Sequence, residues 1–231
     1  VAKDELSAVE CAHVVLVPGN HDARNVGYVH FERMFGNRFS FFRRAFDDNR
    51  AERMQASGFT IVAVDSSSPD MNEGHCGREN YGWIREHFSE PDDLKILAIH
   101  HHLVSIPGTG RERNIITDSG DLLAEITNLD VDVVLSGHKH VPYVWRLEDM
   151  YLASAGTCSS LRVRGHTKPC YNVLEMDGGK VTIFRKFPFG ERQQMATVAI
   201  ATGTQMQRED EGFIQESAQI PEQTSGQVPA D

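Results

Sequence analysis

The chain has 231 residues, of which 40% are hydrophobic, so it is long enough to bury the core of one domain. Its 23 basic and 33 acidic residues give a formal charge of −10, which disfavours nucleic acid or an anionic membrane surface as the main partner. No run of about 18 apolar residues occurs, so the sequence predicts no membrane span. Four cysteines without a CxxC pair favour reduced thiols, and we therefore expect a cytoplasmic protein.

Helices and short apolar strands alternate along the chain, which predicts an α/β fold. Helical spacing of apolar residues predicts helices at residues 2–11, 29–35, 81–88 and 118–127, the last with Asp118 or Ser119 as its N-cap. Apolar runs that end at turn or polar residues predict strands at residues 13–17, 59–65, 95–100, 131–136 and 141–147. Two alternating runs joined by a glycine-containing turn predict a hairpin from residues 170–176 and 180–187.

The composition changes near Gly190. Residues 191–231 carry seven acidic and two basic side chains, and their one aromatic residue is Phe213. Such a segment buries too little apolar surface to offset the entropy that is lost when a chain becomes ordered. We therefore expect one domain over residues 1–189 and an acidic, disordered tail over residues 190–231.

Three polar motifs follow predicted strands directly. They are Gly19-Asn20-His21-Asp22, the three histidines that begin at His100, and Gly137-His138-Lys139-His140. Loops at the carboxyl ends of strands in open α/β sheets are where ligands and catalytic groups gather. If the third motif is extended, His138 and His140 place their rings on one side of it. Each motif alone is more often structural than functional, but imidazole, carboxamide and carboxylate groups together suit a divalent ion such as Zn, Fe, Mn or Co.

In their order, spacing and strand-end placement, these motifs resemble the last three motifs of the calcineurin-like metallophosphoesterases, over roughly residues 8–187. Val64-Asp65-Ser66, Ala155-Gly156-Thr157 and Tyr171-Asn172-Val173 are similar to the cyclic-nucleotide phosphodiesterase branch of that family. The resemblance implies a four-layer α/β/β/α sandwich of two mixed sheets. It also implies two divalent transition metal ions, Mn, Fe, Zn or Co, and a small phosphoester as the substrate.

The resemblance also implies roles for individual residues. It assigns the ligands of one metal ion to three residues: Asn20, His100 and His138. His140 would be a ligand of the other metal ion. His21 would be the general acid beside the scissile phosphate, with Asp22 orienting its ring. The phosphoester would be attacked by a hydroxide that bridges the two ions.

The run of three histidines leaves the choice of ligand open. His101 and His102 compete with His100 for the role of ligand. We favour His100, because the ligand in the family is the first residue after the strand. The other two histidines are expected to line the site or to face solvent, and neither is assigned a role in binding the ions.

Two motifs of the family do not occur in this sequence. None of the 11 histidines has Asp two residues before it, so there is no Asp-x-His pair. The single Gly-Asp pair, Gly120-Asp121, lies between the second and third motifs and is interpreted as a helix N-terminus. The second ion is left with His140 and without a bridging carboxylate. Because the chain begins at Val1, we expect a fragment that lacks its first strand-helix-strand unit and is nearly inactive alone.

The sequence leaves two other functions open. A degenerate domain of this family would be a non-catalytic scaffold that binds a protein partner. A DNA nuclease of the same superfamily needs a basic strip for phosphate contacts, and five residues offer one: Arg111, Arg113, Arg162, Arg164 and Lys168. The acidic charge balance disfavours the nuclease, and the intact later motifs favour an enzyme over a scaffold. We therefore predict a metal-dependent phosphodiesterase.

Overall fold

The structure, a computed structural model, describes residues 2–109, 115–158, 160, 163 and 168–200. The α-helices in this part of the chain are α1 Ala2–Ser7, α2 Gly27–Phe35, α3 Asp48–Met54, α4 Tyr81–His87 and α5 Ser119–Asn128. A short 3-10 helix, Arg78–Asn80, leads into α4. The strands are β1 Ser40–Ala45, β2 Gly58–Val64, β3 Asp93–Ile99, β4 Val133–Ser136, β5 Tyr143–Leu147, β6 Met150–Ser154, β7 Tyr171–Asp177, β8 Lys180–Lys186 and β9 Arg192–Ala199.

The strands form two sheets. In the larger sheet the order is β1-β2-β3-β4-β6-β5, with β2, β3, β4 and β6 parallel and with β1 and β5 antiparallel at the two edges. The smaller sheet, β7-β8-β9, is antiparallel throughout, so the expectation of two mixed sheets is correct for the larger sheet alone. Because parallel strands end at the same edge of a sheet, the loops after β2, β3 and β4 lie side by side.

Apolar side chains cover both faces of the larger sheet. One face packs against α4 and α5 through Val62, Val64, Leu97, Ile84, Leu122 and Ile126. The opposite face packs against the smaller sheet through Leu94, Ile96, Val133, Val181, Ile183 and Val198. Helices, larger sheet and smaller sheet are therefore successive layers, which confirms the predicted α/β class with two sheets.

Four elements are not predicted by the apolar pattern of the sequence: β1, α3, β6 and β9. In β1, Arg43 interrupts the pattern, but its Nε lies 2.8 Å from the buried carboxylate of Asp93. The helix α3 is mostly charged, and its N-cap is Asp47, whose side chain accepts a hydrogen bond from the backbone N–H of Arg50 at 2.9 Å. Polar contacts therefore position segments that apolar spacing alone does not identify. The predicted helix at residues 2–11 is also shorter than expected and ends at Ser7.

Residues 13–17 do not form the predicted strand. Among the described residues no strand pairs with them, and a β-strand needs a neighbour to satisfy its backbone N–H and C=O groups. The ring of His13 instead stacks on Phe42 of β1, with 4.0 Å between the ring centroids. Val14 is 42% exposed, so this apolar run is only partly covered.

β9 lies inside the segment that was predicted to be disordered, so that prediction is wrong for Arg192–Ala199. The strand pairs antiparallel with β8. Its composition is polar, but alternate residues on one face turn inward, and both Val198 and the following Ile200 are buried. For predicting this strand, the alternation of apolar residues is therefore a better guide than the polar composition of the segment. Residues 201–231 lie outside the described part of the chain.

Candidate metal centre

The carboxyl ends of β3 and β4 carry two of the predicted ligands. β3 ends at Ile99, directly before His100, and β4 ends at Ser136, two residues before His138. Because β3 and β4 are parallel neighbours, both histidines lie at the same edge of the larger sheet. The backbone N–H of Gly137 donates to the carbonyl oxygen of His100 at 3.0 Å, and this bond joins the two loops.

Asn20 brings a third donor to this edge. Its Oδ1 atom lies 3.1 Å from Nε2 of His100, and the same nitrogen lies 3.3 Å from Nδ1 of His138. Asn20 is buried in a tight turn, in which the N–H of Asp22 donates to the carbonyl oxygen of Gly19 at 2.9 Å. The structure therefore brings together the three residues that were predicted to hold one ion.

Two glycines permit the close packing of the histidine rings. A Cβ atom at Gly19 would lie 2.7 Å from Cε1 of His100, so a side chain there would push against the ring. A Cβ atom at Gly74 would lie 2.5 Å from Cγ of His101. Real Cβ atoms do not approach other atoms so closely, and glycine at these positions lets the backbone lie against each ring.

The two histidines after His100 are buried and do not face solvent. His101 is 0% exposed and His102 is 1% exposed. A serine hydroxyl holds each ring: Nδ1 of His101 lies 2.8 Å from Oγ of Ser66, and Nδ1 of His102 lies 3.0 Å from Oγ of Ser136. In both rings the other nitrogen, Nε2, is buried without a hydrogen-bond partner. Both histidines are therefore buried, and His101 is the one whose ring nitrogen lies close to those of the predicted ligands.

Burial keeps these imidazoles neutral. Burial and then the neighbouring histidines lower the pKa of His100 to about 3 and the pKa of His138 to about 2. Burial likewise lowers the pKa of His101 and that of His102 to about 4. The nearby polar backbone of Asn72 opposes the shift in the pKa of His101. A neutral imidazole has a lone pair that can bind a metal ion.

The donors at this edge fit a divalent metal ion. One ring nitrogen of each of His100, His101 and His138 lies within 4.8 Å of the other two. Nε2 of His138 is another buried nitrogen that has no hydrogen-bond partner. A buried polar atom without a partner is costly, and a bound ion would satisfy such an atom where it faces the ion. Neutral imidazoles and a carboxamide oxygen suit borderline divalent ions.

Two residues that the sequence does not single out, Arg24 and Asn72, orient the amide of Asn20. Oδ1 of Asn72 accepts hydrogen bonds from Nη2 of Arg24 at 3.0 Å and from Nδ2 of Asn20 at 3.2 Å. Because a guanidinium group only donates, the atom of Asn72 that faces it is the oxygen. An oxygen acceptor pairs with a donor, so the Nδ2 group of Asn20 faces Asn72. The other end of the same amide, Oδ1 of Asn20, therefore faces His100. Asn72 is 52 residues from Asn20, so no local motif reveals this contact.

The predicted motif Val64-Asp65-Ser66 supports the centre from the end of β2. The carboxylate of Asp65 accepts hydrogen bonds from the N–H of Ser67 at 2.7 Å and from Nη1 of Arg38 at 2.9 Å. Burial raises the pKa of Asp65, and these two donors oppose the shift. The hydroxyl of Ser67 donates to the carbonyl oxygen of Pro18 at 3.4 Å. Asp65 therefore helps to join β2 to the loop that carries Asn20.

The other predicted site residues lie on a more open side of the centre. His21 and Asp22 are exposed, and His140 is half-buried. Oδ2 of Asp22 accepts a hydrogen bond from the backbone N–H of Gly19 at 2.9 Å. Asp22 therefore supports its own loop, and its role in orienting the ring of His21 stays a prediction.

His138 and His140 do not lie in an extended segment, contrary to our expectation. β4 ends before both residues, and their φ angles are 64° and 57°, in the left-handed region. This conformation costs a non-glycine residue roughly 1–2 kcal/mol. Such strain persists where surrounding contacts hold it and is common at binding sites. The direction of each ring is therefore set by the turn. The alternation of side chains along a strand does not place the two rings on the same side.

Two of the sequence-based expectations concern a basic strip for nucleic acid and a membrane span. Four of the five basic residues proposed for a nuclease strip, Arg111, Arg113, Arg162 and Arg164, lie outside the described residues, and Lys168 is exposed. The helices in the described part of the chain are all too short or too polar to cross a membrane.

Comparison with known proteins finds relatives of this chain. The family model described as Calcineurin-like phosphoesterase matches residues 3–142. A probable cyclic nucleotide phosphodiesterase of Psychrobacter sp. is 21% identical over an alignment of 176 residues, and the match covers 69% of this chain and 49% of that protein. A 3′,5′-cyclic-nucleotide phosphodiesterase of Nostoc sp. is 22% identical over an alignment of 191 residues, and the match covers 75% of this chain and 65% of that protein. The chain thus spans only part of the length of these curated relatives.

Solved structures show more distant likenesses. GAP50, the anchor in the inner membrane complex of Plasmodium, is 16% identical with a TM-score of 0.46, over 70% of this chain and 55% of that chain. The purple acid phosphatase PPD1 from yellow lupin seeds is 13% identical with a TM-score of 0.44, over 69% of this chain and 32% of that chain. Neither likeness is close enough to bear on function.

Proposed function

This chain belongs to the calcineurin-like phosphoesterase family, and we propose that it serves in the metal-dependent hydrolysis of phosphoesters, phosphodiesters in particular. The proposal depends on one observation, the convergence of Asn20, His100 and His138 at one edge of the larger sheet. Both curated relatives are named as cyclic nucleotide phosphodiesterases, so cyclic nucleotides are the first substrates to test. Because the chain covers 49% of the first relative, the proposed activity is that of the whole protein.

The residues of the centre divide into two proposed groups. Asn20, His100 and His138 would hold one metal ion, and His140 would be a ligand of a second ion. When bound, the ions would supply a water of lowered pKa and would offset the charge that develops on the phosphate. The substrate would approach from the side of His21, which is exposed, since buried rings and their serine partners close the opposite side.

His21 is the proposed general acid. It directly follows Asn20 in the chain and is exposed, so its ring is accessible to an ester held at the centre. The ring would hold a proton at one nitrogen and donate it to the leaving oxygen while the P–O bond breaks. The bond from Gly19 to Asp22 would keep the loop, and with it His21, in place.

Hydrolysis of bis(p-nitrophenyl) phosphate tests this proposal. The whole protein that contains this chain is supplied with Mn, Fe, Co or Zn and is compared with its His21→Ala variant. We expect turnover with at least one metal, and we expect His21→Ala to lower kcat about 100-fold to 10,000-fold without changing the bound metal content. His30→Ala is the matched control, because His30 is an exposed histidine in α2, and it should behave as the unmodified protein.

Three outcomes would contradict the proposal in whole or in part. Inactivity with all four metals would exclude a metal-dependent hydrolase. Weak metal binding, together with no effect of His21→Ala, would favour the scaffold instead. Adenosine 3′,5′-cyclic monophosphate and p-nitrophenyl phosphate, a diester and a monoester, then define the substrate class, and faster cleavage of the monoester would contradict a phosphodiesterase.

A further inference from the structure

We propose that the ring of His101 is a further ligand at the metal centre, which then offers one ion three imidazoles and a carboxamide and needs no carboxylate. This inference rests on the proposed function, because it adds a donor to the same centre. It concerns a residue that the family resemblance leaves without a role.

The first argument is position. The ring centroid of His101 lies 4.5 Å from that of His138 and 4.8 Å from that of His100. One nitrogen of each ring lies within 4.8 Å of the other two. Ligand nitrogens lie about 2.0–2.1 Å from a zinc ion, and so about 3.4 Å from one another in a tetrahedral site. The rings therefore need to close by only about 1–1.5 Å to share one ion.

The second argument is the hydrogen bonding of the ring. Nδ1 of His101 is engaged by the hydroxyl of Ser66, which leaves Nε2 as the available nitrogen. That nitrogen is completely buried and has no hydrogen-bond partner. A histidine that binds a metal through one nitrogen characteristically hydrogen-bonds through the other. Ser66 and the close backbone of Gly74 hold the ring in this orientation.

His102 provides an internal comparison. It is as buried as His101, its Nδ1 also contacts a serine hydroxyl, and its Nε2 also has no partner. Its ring centroid, however, lies 6.1 Å from that of His138, and it is not in the group of three close ring nitrogens. Burial and an unpaired nitrogen are therefore shared by both histidines, but closeness to His138 distinguishes His101.

The donor set predicts which ions bind. Imidazole ligands favour Zn²⁺ and Co²⁺, whereas carboxylate and water oxygens favour Mn²⁺ and Mg²⁺. A centre with three imidazoles and one carboxamide should therefore bind Zn²⁺ and Co²⁺ more tightly than Mn²⁺. We expect this preference in the 231-residue chain alone, without any additional carboxylate.

The ligands can be counted in the unmodified chain. The chain, labelled with ¹⁵N in its histidines, is loaded with ¹¹³Cd²⁺, and coupling between the ion and each bound ring nitrogen is measured by NMR. We expect three coupled nitrogens, from His100, His101 and His138. Coupling to His100 and His138 without His101 would overturn the inference. Because no residue is replaced, misfolding of a variant cannot produce this result.

Variants give the second measurement. We expect His101→Ala to weaken Co²⁺ binding about tenfold to a hundredfold, whereas His102→Ala should change it less than about threefold. Equal effects of the two substitutions would indicate a structural role for both rings and would overturn the inference.

The outcomes also separate this inference from the proposed function. Binding through two imidazoles with hydrolysis in the whole protein would overturn the inference and leave the function standing. Binding through three imidazoles without hydrolysis in the whole protein would support the inference and contradict the proposed function. If millimolar Zn²⁺, Co²⁺ and Cd²⁺ fail to bind the 231-residue chain, the inference is wrong. If they also fail to bind the whole protein, the metal centre is absent and the proposed function is wrong as well.

Discussion

The two sides of the centre differ in how firmly the fold holds their side chains. On the buried side, His100, His101 and His138 pack ring against ring, and hydrogen bonds join them to neighbouring loops. On the open side, His21 is exposed and His140 is half-buried. Burial fixes both the position and the protonation state of a ligand, whereas an exposed ring can exchange protons with solvent. The buried rings suit the proposed binding of an ion, and the exposed ring of His21 suits the proposed donation of a proton.

Removing one ring from each side is the strongest test of that difference. We expect His100→Ala to weaken Co²⁺ binding by the chain about a hundredfold or more, because it deletes the donor that lies between Asn20 and His138. His21→Ala should change binding less than about threefold, since its ring is outside the buried group. Calorimetric titration of both variants measures the effect. Similar losses in the two variants would show that the two sides do not differ in ion binding.

Adding a methyl group tests whether the buried side depends on exact packing of the rings. We expect Gly19→Ala to weaken Co²⁺ binding about tenfold and to destabilise the chain by about 1–3 kcal/mol, because the new Cβ atom would contact the ring of His100. Gly82→Ala is the control: it lies in α4 with open space around the added atom and should stabilise the chain by about 0.5–1 kcal/mol. Thermal unfolding and metal titration report both effects. Unchanged binding in Gly19→Ala would show that the ring can move without loss.

Changing Asn72 tests the orientation of the Asn20 amide and has the smallest expected effect. We expect Asn72→Leu to weaken Co²⁺ binding about threefold to tenfold, which corresponds to the loss of one hydrogen bond. Asn72→Asp should retain binding, because a carboxylate still accepts from Asn20 and Arg24. Asn37→Leu, at an exposed position outside the centre, controls for the added apolar surface. If Asn72→Asp is as weak as Asn72→Leu, the acceptor at this position is not what orients Asn20.

Part of the fold was predictable because the apolar pattern of some segments matches their burial in the folded chain. The strands β2, β3 and β4 are buried on both faces, so their apolar runs stand out in the sequence. The run at residues 13–17 has the same pattern but no neighbouring strand among the described residues, and it is not a strand. β9 shows the opposite error, since its composition is polar while one of its faces joins the core.

The candidate site was predictable to a similar extent. Asn20, His100 and His138 were identified from strand-end motifs, and the structure brings them together; their role as ligands stays a prediction. The contact of Asn72 with Asn20 was not predictable, because it joins residues 52 positions apart outside any motif. The burial of His101 was not predictable either, since a run of three histidines is equally compatible with a solvated loop.

The sequence by itself determined which donors are available and at which strand ends they lie, because side-chain chemistry and the apolar runs before each motif are local properties. Tertiary structure decided which of those donors meet, which are neutral and which face solvent. It placed His101 against Ser66 and left Asp22 on the backbone of Gly19. The alignment of β2, β3 and β4 sets the distances between strand ends, the burial of the side chains and their hydrogen-bond partners. No local sequence pattern predicts these properties, because they depend on segments that are distant in the chain.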